Sequence, residues 1–140
     1  MSTDPNQAVF RRVIDEVFNQ GNYQVIPELF TPGSIEHQFG LHPGYEGLEG
    51  DVRFLRRTFP DLTLTIEDMV TDGEMVWARM TARGTNTVGF MGPPNGKSFE
   101  ITIFDQVRVV DGRIVEHWGS PDRFAQMAQL DLLPKRQPAK

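Results

Sequence analysis

An aspartate and a histidine, Asp105 and His117, flank an Asp-Gly pair in the stretch FEITIFDQVRVVDGRIVEHWGSPD. A carboxylate against an imidazole fixes the ring's tautomer and raises its basicity, which suits general acid–base catalysis near neutral pH. These two are the candidate catalytic residues. The plain alternative is a satisfied buried pair that only closes a hairpin. The chain has three histidines and no cysteine, so a thiolate nucleophile and a disulfide framework are both excluded. No HxH or HExxH spacing occurs, and no metal site is expected. FMGPPNGK contains glycines but lacks the spacing of a phosphate-binding loop.

Whether the pair meets depends on the hairpin at Asp111-Gly112. A two-residue turn pairs Val110 with Arg113 and sets Gln106 opposite His117. A three-residue loop with a glycine bulge pairs Val109 with Arg113 and sets Asp105 opposite His117. The second register is favoured, because it gathers Phe99, Ile101, Ile103, Val107, Val109 and Val115 on one face. A carboxylate and an imidazole on that face would be costly unless they satisfied each other.

The elements that must position this hairpin are legible in the patterning. Asp4-Pro5 is a capped helix start, and Phe10, Val13, Ile14, Val17 and Phe18 recur at helical spacing over 6–20. Gly21 suits the left-handed end of that helix. A helical turn is expected to begin at Pro27 and to carry Leu29 and Phe30, with Ile26 extended before the proline. A glycine-rich loop with room for a short strand at 34–38 follows and holds His37 and His42. His42, beside Pro43, reads as exposed. A helix over 48–59 places Leu48, Val52, Leu55 and Phe59 on one stripe. Alternation then predicts strands at 62–67, 76–83, 99–110 and 113–119. Pro121 is expected to open a last short helix with Phe124, Met127 and Leu130 as its apolar face. Helices followed by an antiparallel meander indicate an α+β fold with helices on one face of a curved sheet. If the sheet curls over those helices, the result is a cone closed at one end, with room for a pocket. Phe54, Met80, Phe90 and Met91 are spaced to line that pocket or its mouth, although such spacings also serve plain core. Arg79 and Arg83 fall on the outer face, near Glu116 and its neighbours. One domain is expected over 1–134, with a disordered tail at 135–140.

The 140 residues carry a net charge of -5 and no concentrated basic face, which argues against nucleic-acid binding. No apolar run approaches the ~20 residues of a membrane span, and no signal peptide is apparent, so a cytoplasmic protein is expected. Trp77, Phe104 and Trp118 make the outer sheet face too aromatic for water, and a homodimer interface is the expected cover.

The segments VFNQGNYQVIPELF, EGLEGDVRFLRRTFPDLTLTIEDMV, ARGTNTVGFMGPPNGK and RVVDGRIVEHWGSPD resemble the SnoaL-like polyketide cyclase (ester cyclase) family, over about Val9 to Leu133. The resemblance implies the nuclear-transport-factor-2-like cone: a strongly curved antiparallel sheet closed by the N-terminal helices around a deep apolar pocket, usually a homodimer packed through its sheet. It also implies aldol ring closure of a hydrophobic carbonyl-bearing molecule without metal or cofactor. Relatives on the fold that isomerise or dehydrate use aspartate and histidine as acid–base groups. In the cyclases the acid–base residue is an aspartate two positions after the final-strand histidine. Here that position is Gly119, a substrate-contacting candidate; a pocket-histidine position is Asp105, and the final-strand histidine is His117. His37 lies where members often direct a histidine into the pocket. The alternative reading is a non-catalytic protein that binds a small apolar ligand.

Overall fold

The computed structural model describes residues 4–135. The Asp4 carboxylate accepts from the backbone N–H groups of Asn6 and Gln7, and α1 runs over Pro5–Arg12. It continues as a π-helical stretch, Val13–Asn19, to Gly21 at φ 68°. Phe10, Val13, Ile14 and Val17 are buried, as their spacing requires. A 3-10 turn at Tyr23–Val25 leads into α2, Ile26–Leu29. Ile26 is helical (φ -52°, ψ -46°), so burying its side chain overrides the extended preference before Pro27. Phe30 already belongs to β1, Phe30–Glu36. α3 covers Gly44–Thr58, starting four residues before the expected point.

The remaining strands are β2 Thr63–Asp72, β3 Met75–Thr85, β4 Ser98–Val110 and β5 Arg113–Pro121. β2 to β5 form the expected antiparallel meander in a curved, unclosed sheet of order β1-β5-β4-β3-β2. β1 is the exception, pairing parallel to β5 with Glu36 beside His117. The helices cover one face, where Phe59 meets Phe99 edge-on at 5.0 Å. The loop at 86–97 is pinned rather than loose: Asn86, fully buried, binds Lys97, Asn95 and Gly96, and Asn95 reaches the carbonyl of Leu130.

The hairpin register differs from the favoured one. Asp111 and Gly112 both adopt positive φ, 51° and 78°, which makes a two-residue turn with Val110 paired to Arg113. Val109 then pairs with Ile114 and Arg108 with Glu116, leaving Val115 as an extra residue on β5. This bulge shifts the ladder by one residue. His117 therefore opposes Val107, and Asp105 opposes Gly119. Ile114, not Val115, joins the buried face.

At the C-terminal end, β5 runs through Pro121, and Asp122 caps α4, Arg123–Gln129. Gln126 and Leu130 face inward while Phe124 is exposed, so the apolar stripe expected from Phe124 is corrected. Arg83 pairs with Glu100, and Glu116 with Arg108 and His37. The expected tail lies outside the described residues except for Lys135. No helix among the described residues is long and apolar enough to cross a membrane.

Two glycines give opposite expectations. Gly112→Ala, at positive φ, should destabilise by about 1 kcal/mol, whereas Gly50→Ala, mid-helix in α3 with open space around it, should stabilise by ~0.5–1 kcal/mol. Thermal denaturation checks both; shifts of the same sign would refute the turn or the helix assignment.

Candidate active site

Between the helices and the sheet lies a cavity of about 100 Å³ with mainly apolar walls, among them Phe10, Ile14, Leu55, Phe59, Met80 and Ile101. Polar groups break this lining in a few places. On the sheet these are Glu36, Asp105 and His117, with Gln38 just after β1; at the helical rim they are Asp51, Arg123 and Gln126.

Three adjacent strands build the central cluster. The bulge at Val115 restores inward parity to His117, so that it shares a face with Val107 and Asp105. The parallel pairing of β1 sets Glu36 beside His117. His117 Nδ1 lies 2.7 and 2.8 Å from the two Glu36 carboxylate oxygens, and its Nε2 lies 3.1 Å from Asp105 Oδ2. The three side chains are 11–14% exposed. Burial by itself would push the imidazolium's pKa down. The hydrogen bonds and negative charges of Asp105 and Glu36 outweigh it and raise the pKa to about 9. The ring is therefore a cation at neutral pH, donating from both nitrogens. With both nitrogens engaged and the proton held up to about pH 9, the ring is arranged to donate rather than to accept.

The two carboxylates are not equivalent. Glu36 has both oxygens on His117, and its Oε1 also accepts from the Gln38 backbone N–H at 2.9 Å. Asp105 has one oxygen on His117, while Oδ1 is buried without a hydrogen-bond partner among the described residues. Gly119 makes room for this oxygen. A Cβ there would lie 2.6 Å from Asp105 Oδ1 and would also strike the Gln38 carboxamide. Gly119 thus lets the Asp105 carboxylate lie across the opposite strand, with Gln38 above it.

The other proposed binding residues divide. Met80 lines the cavity. His37 does not: it projects to the outer face, where it stacks on Trp118 at 4.7 Å and meets Glu116 at 2.7 Å. Its inward placement was off by one residue, because the neighbours that face inward are Glu36 and Gln38. Phe54 and Met91 are exposed on the surface, and Phe90 packs on Phe59 without lining the cavity. Glu36 and Gln38 were missed because the β1–β5 pairing joins residues about eighty positions apart. Their alternation with Ile35 and His37 was the available signal. At the rim His42, exposed as expected, binds Asp51 through its backbone N–H and Nδ1, both at 2.7 Å.

Comparisons with known proteins agree with this geometry. The family model for the SnoaL-like polyketide cyclase matches residues 8–130. Aklanonic acid methyl ester cyclase DauD of Streptomyces sp. (strain C5) is 27% identical over 134 residues, covering 90% of this chain and 81% of that protein. Nogalonic acid methyl ester cyclase of Streptomyces nogalater is 28% identical over 106 residues, covering 74% and 78%. Among solved structures, wild-type IdmH of Streptomyces antibioticus superposes with TM-score 0.82 at 37% identity, covering 90% of this chain and 98% of that one.

The His117 cation sets a pH dependence. Its pKa rises from about 6.5 unfolded to about 9 folded, so its stabilising contribution is complete below the unfolded value and is lost as pH rises through about 9. The shift corresponds to a contribution on the order of 3 kcal/mol. Wild-type protein should lose more thermal stability between pH 7 and 10 than His117→Gln does. Parallel profiles for the two would show that the buried ring is uncharged.

Proposed function

The chain belongs to the SnoaL-like polyketide cyclase family, and from that premise we propose that it closes a ring in a hydrophobic carbonyl-bearing small molecule, with Asp105 as the acid–base residue. The observation that carries this reading is the unpartnered Oδ1 of a carboxylate whose other oxygen is anchored to an imidazolium. A buried acceptor left unpaired is costly, and a substrate proton would satisfy it.

The steps balance within the protein and substrate. The unbranched Gln38 side chain swings aside as substrate enters. Asp105 Oδ1 takes the proton from a carbon alpha to a carbonyl, and the C–H electron pair becomes the enolate. That carbon attacks a second carbonyl of the same molecule, forming the ring bond and an alkoxide. The alkoxide then recovers the proton from Asp105. The apolar walls hold the chain folded on itself and keep water away, which strengthens every charge interaction inside. His117, immobilised by Glu36, keeps Asp105 in place and supplies positive charge near the developing enolate.

Steady-state turnover of an aromatic polyketide, assayed both as the free acid and as its methyl ester, tests the assignment. Asp105→Asn should lower kcat by about 10²–10⁴-fold with ligand binding retained. Gly119→Ala, which displaces the carboxylate from the His117 cation, should lower kcat at least about tenfold and lower Tm as well. An Asp105→Asn variant with unchanged kcat would sink the base assignment; a wild-type protein that binds ligand without turning it over would favour the pocket-protein alternative.

We also place a second copy of the chain against the outer sheet face. Val70, Trp77 and Phe104 are 58%, 48% and 55% exposed there, and the protein's own helices lie on the opposite face. An apolar patch of this kind favours a partner. Trp77→Glu should convert a sedimenting dimer into monomer; a wild-type protein that is monomeric at every concentration tested would refute the interface.

A further inference from the structure

The cavity has a second polar end that the ring closure above does not use. Arg123, the first residue of α4, stands on the rim, and Gln126 lies one turn further along, 2% exposed; both line the cavity. Arg123 Nη1 donates to Gln126 Oε1 at 2.8 Å. That contact fixes the orientation of the carboxamide, because only its oxygen can accept. Gln126 Nε2 is then a donor without a hydrogen-bond partner among the described residues, on a side chain that is buried as a whole and lines the cavity. Arg123 has no ion-pair partner among them either, although burial lowers its pKa from the ordinary guanidinium value. It remains charged, as guanidinium groups do in proteins.

The charges along the cavity are therefore segregated. Glu36, Asp105 and the His117 cation sum to one negative charge on the sheet, and Asp51 on α3 shares a smaller pocket's lining with Glu36. Next along the ladder comes the apolar pair Ile103–Pro121, two residues or roughly 7 Å from the Asp105–Gly119 pair. Arg123 and Gln126 lie beyond it. An anionic substituent would be repelled at the first end and would find a cation and an unused N–H donor at the second.

We propose that Arg123 and Gln126 form a carboxylate-binding subsite, so that this protein takes a substrate bearing a free carboxylate with its reactive carbon directed at Asp105. The inference rests on the ring-closing reading for the meaning of that orientation, but its test is a binding measurement. Carboxylate recognition by a planar guanidinium commonly uses paired N–H donors, and the buried amide extends that donor set. The methyl ester of the same acid carries no charge and gives the guanidinium only a neutral acceptor.

Isothermal titration with 2-naphthoate and methyl 2-naphthoate tests it. Wild-type protein should bind the carboxylate about tenfold more tightly than the ester. Arg123→Gln should abolish that preference by weakening carboxylate binding alone, and Arg123→Lys should keep part of it. Gln126→Leu should also weaken the carboxylate selectively. Equal wild-type affinities, equal weakening of both ligands by Arg123→Gln, or binding of neither ligand would overturn the subsite. The two assignments separate cleanly: carboxylate preference with kcat unaffected by Asp105→Asn removes the base and keeps the subsite, whereas loss of turnover in Asp105→Asn without that preference does the reverse.

Discussion

The structure turns on one imidazolium held between two carboxylates. Removing an ion from water is expensive, and a buried pair is sustained only when geometry and hydrogen bonds are good. Here Glu36, His117 and Asp105 come from three neighbouring strands, and His117 holds both acids with hydrogen bonds of 2.7–3.1 Å. Each requirement of that contact shows in the fold. β1 must pair parallel to β5, β5 must bulge at Val115, and position 119 must lack a side chain.

This arrangement divides the labour among residues of similar chemistry. Glu36 is saturated by His117 and a backbone N–H, so it positions the ring. His117 is saturated by both acids, so it is a fixed charge. Of the three, Asp105 has a buried oxygen without a partner among the described residues, and its side chain lines a cavity otherwise rich in apolar side chains. In such surroundings a small number of charges governs how a ligand orients, because little water screens them. The acidic sheet and the Arg123–Gln126 rim give the cavity a polarity that its apolar lining alone would not supply.

Much of the fold was legible because it follows from local rules. Asp4-Pro5 caps a helix, Phe10 to Val17 recur at helical spacing, and the alternation in 63–110 marks strands. Asp111-Gly112 marks a turn wherever it occurs. The family resemblance added the cone and the cavity, and the shared architecture agrees with that reading. The site was only half legible. Asp105 and His117 stood out as a pair, but their cross-strand positions depended on a bulge that the sequence does not signal. His37 looked like a pocket residue by the family resemblance, and its outward parity became visible only once β1 had a neighbour.

The sequence by itself determined which elements form, which residues are apolar enough to be buried, and which few side chains could do chemistry. Those choices depend on propensity, capping and periodicity within a few residues of each position. Tertiary structure alone decided that β1 lies parallel to β5 and turns Glu36 inward, that a bulge offsets the hairpin, and that Gly119 makes room for Asp105. It also decided that His117 is held between two carboxylates, which raise its pKa. The physical reason is that a pKa and a catalytic role depend on burial and on partners brought together across the sheet, and one inserted residue in a strand is enough to change which partners those are.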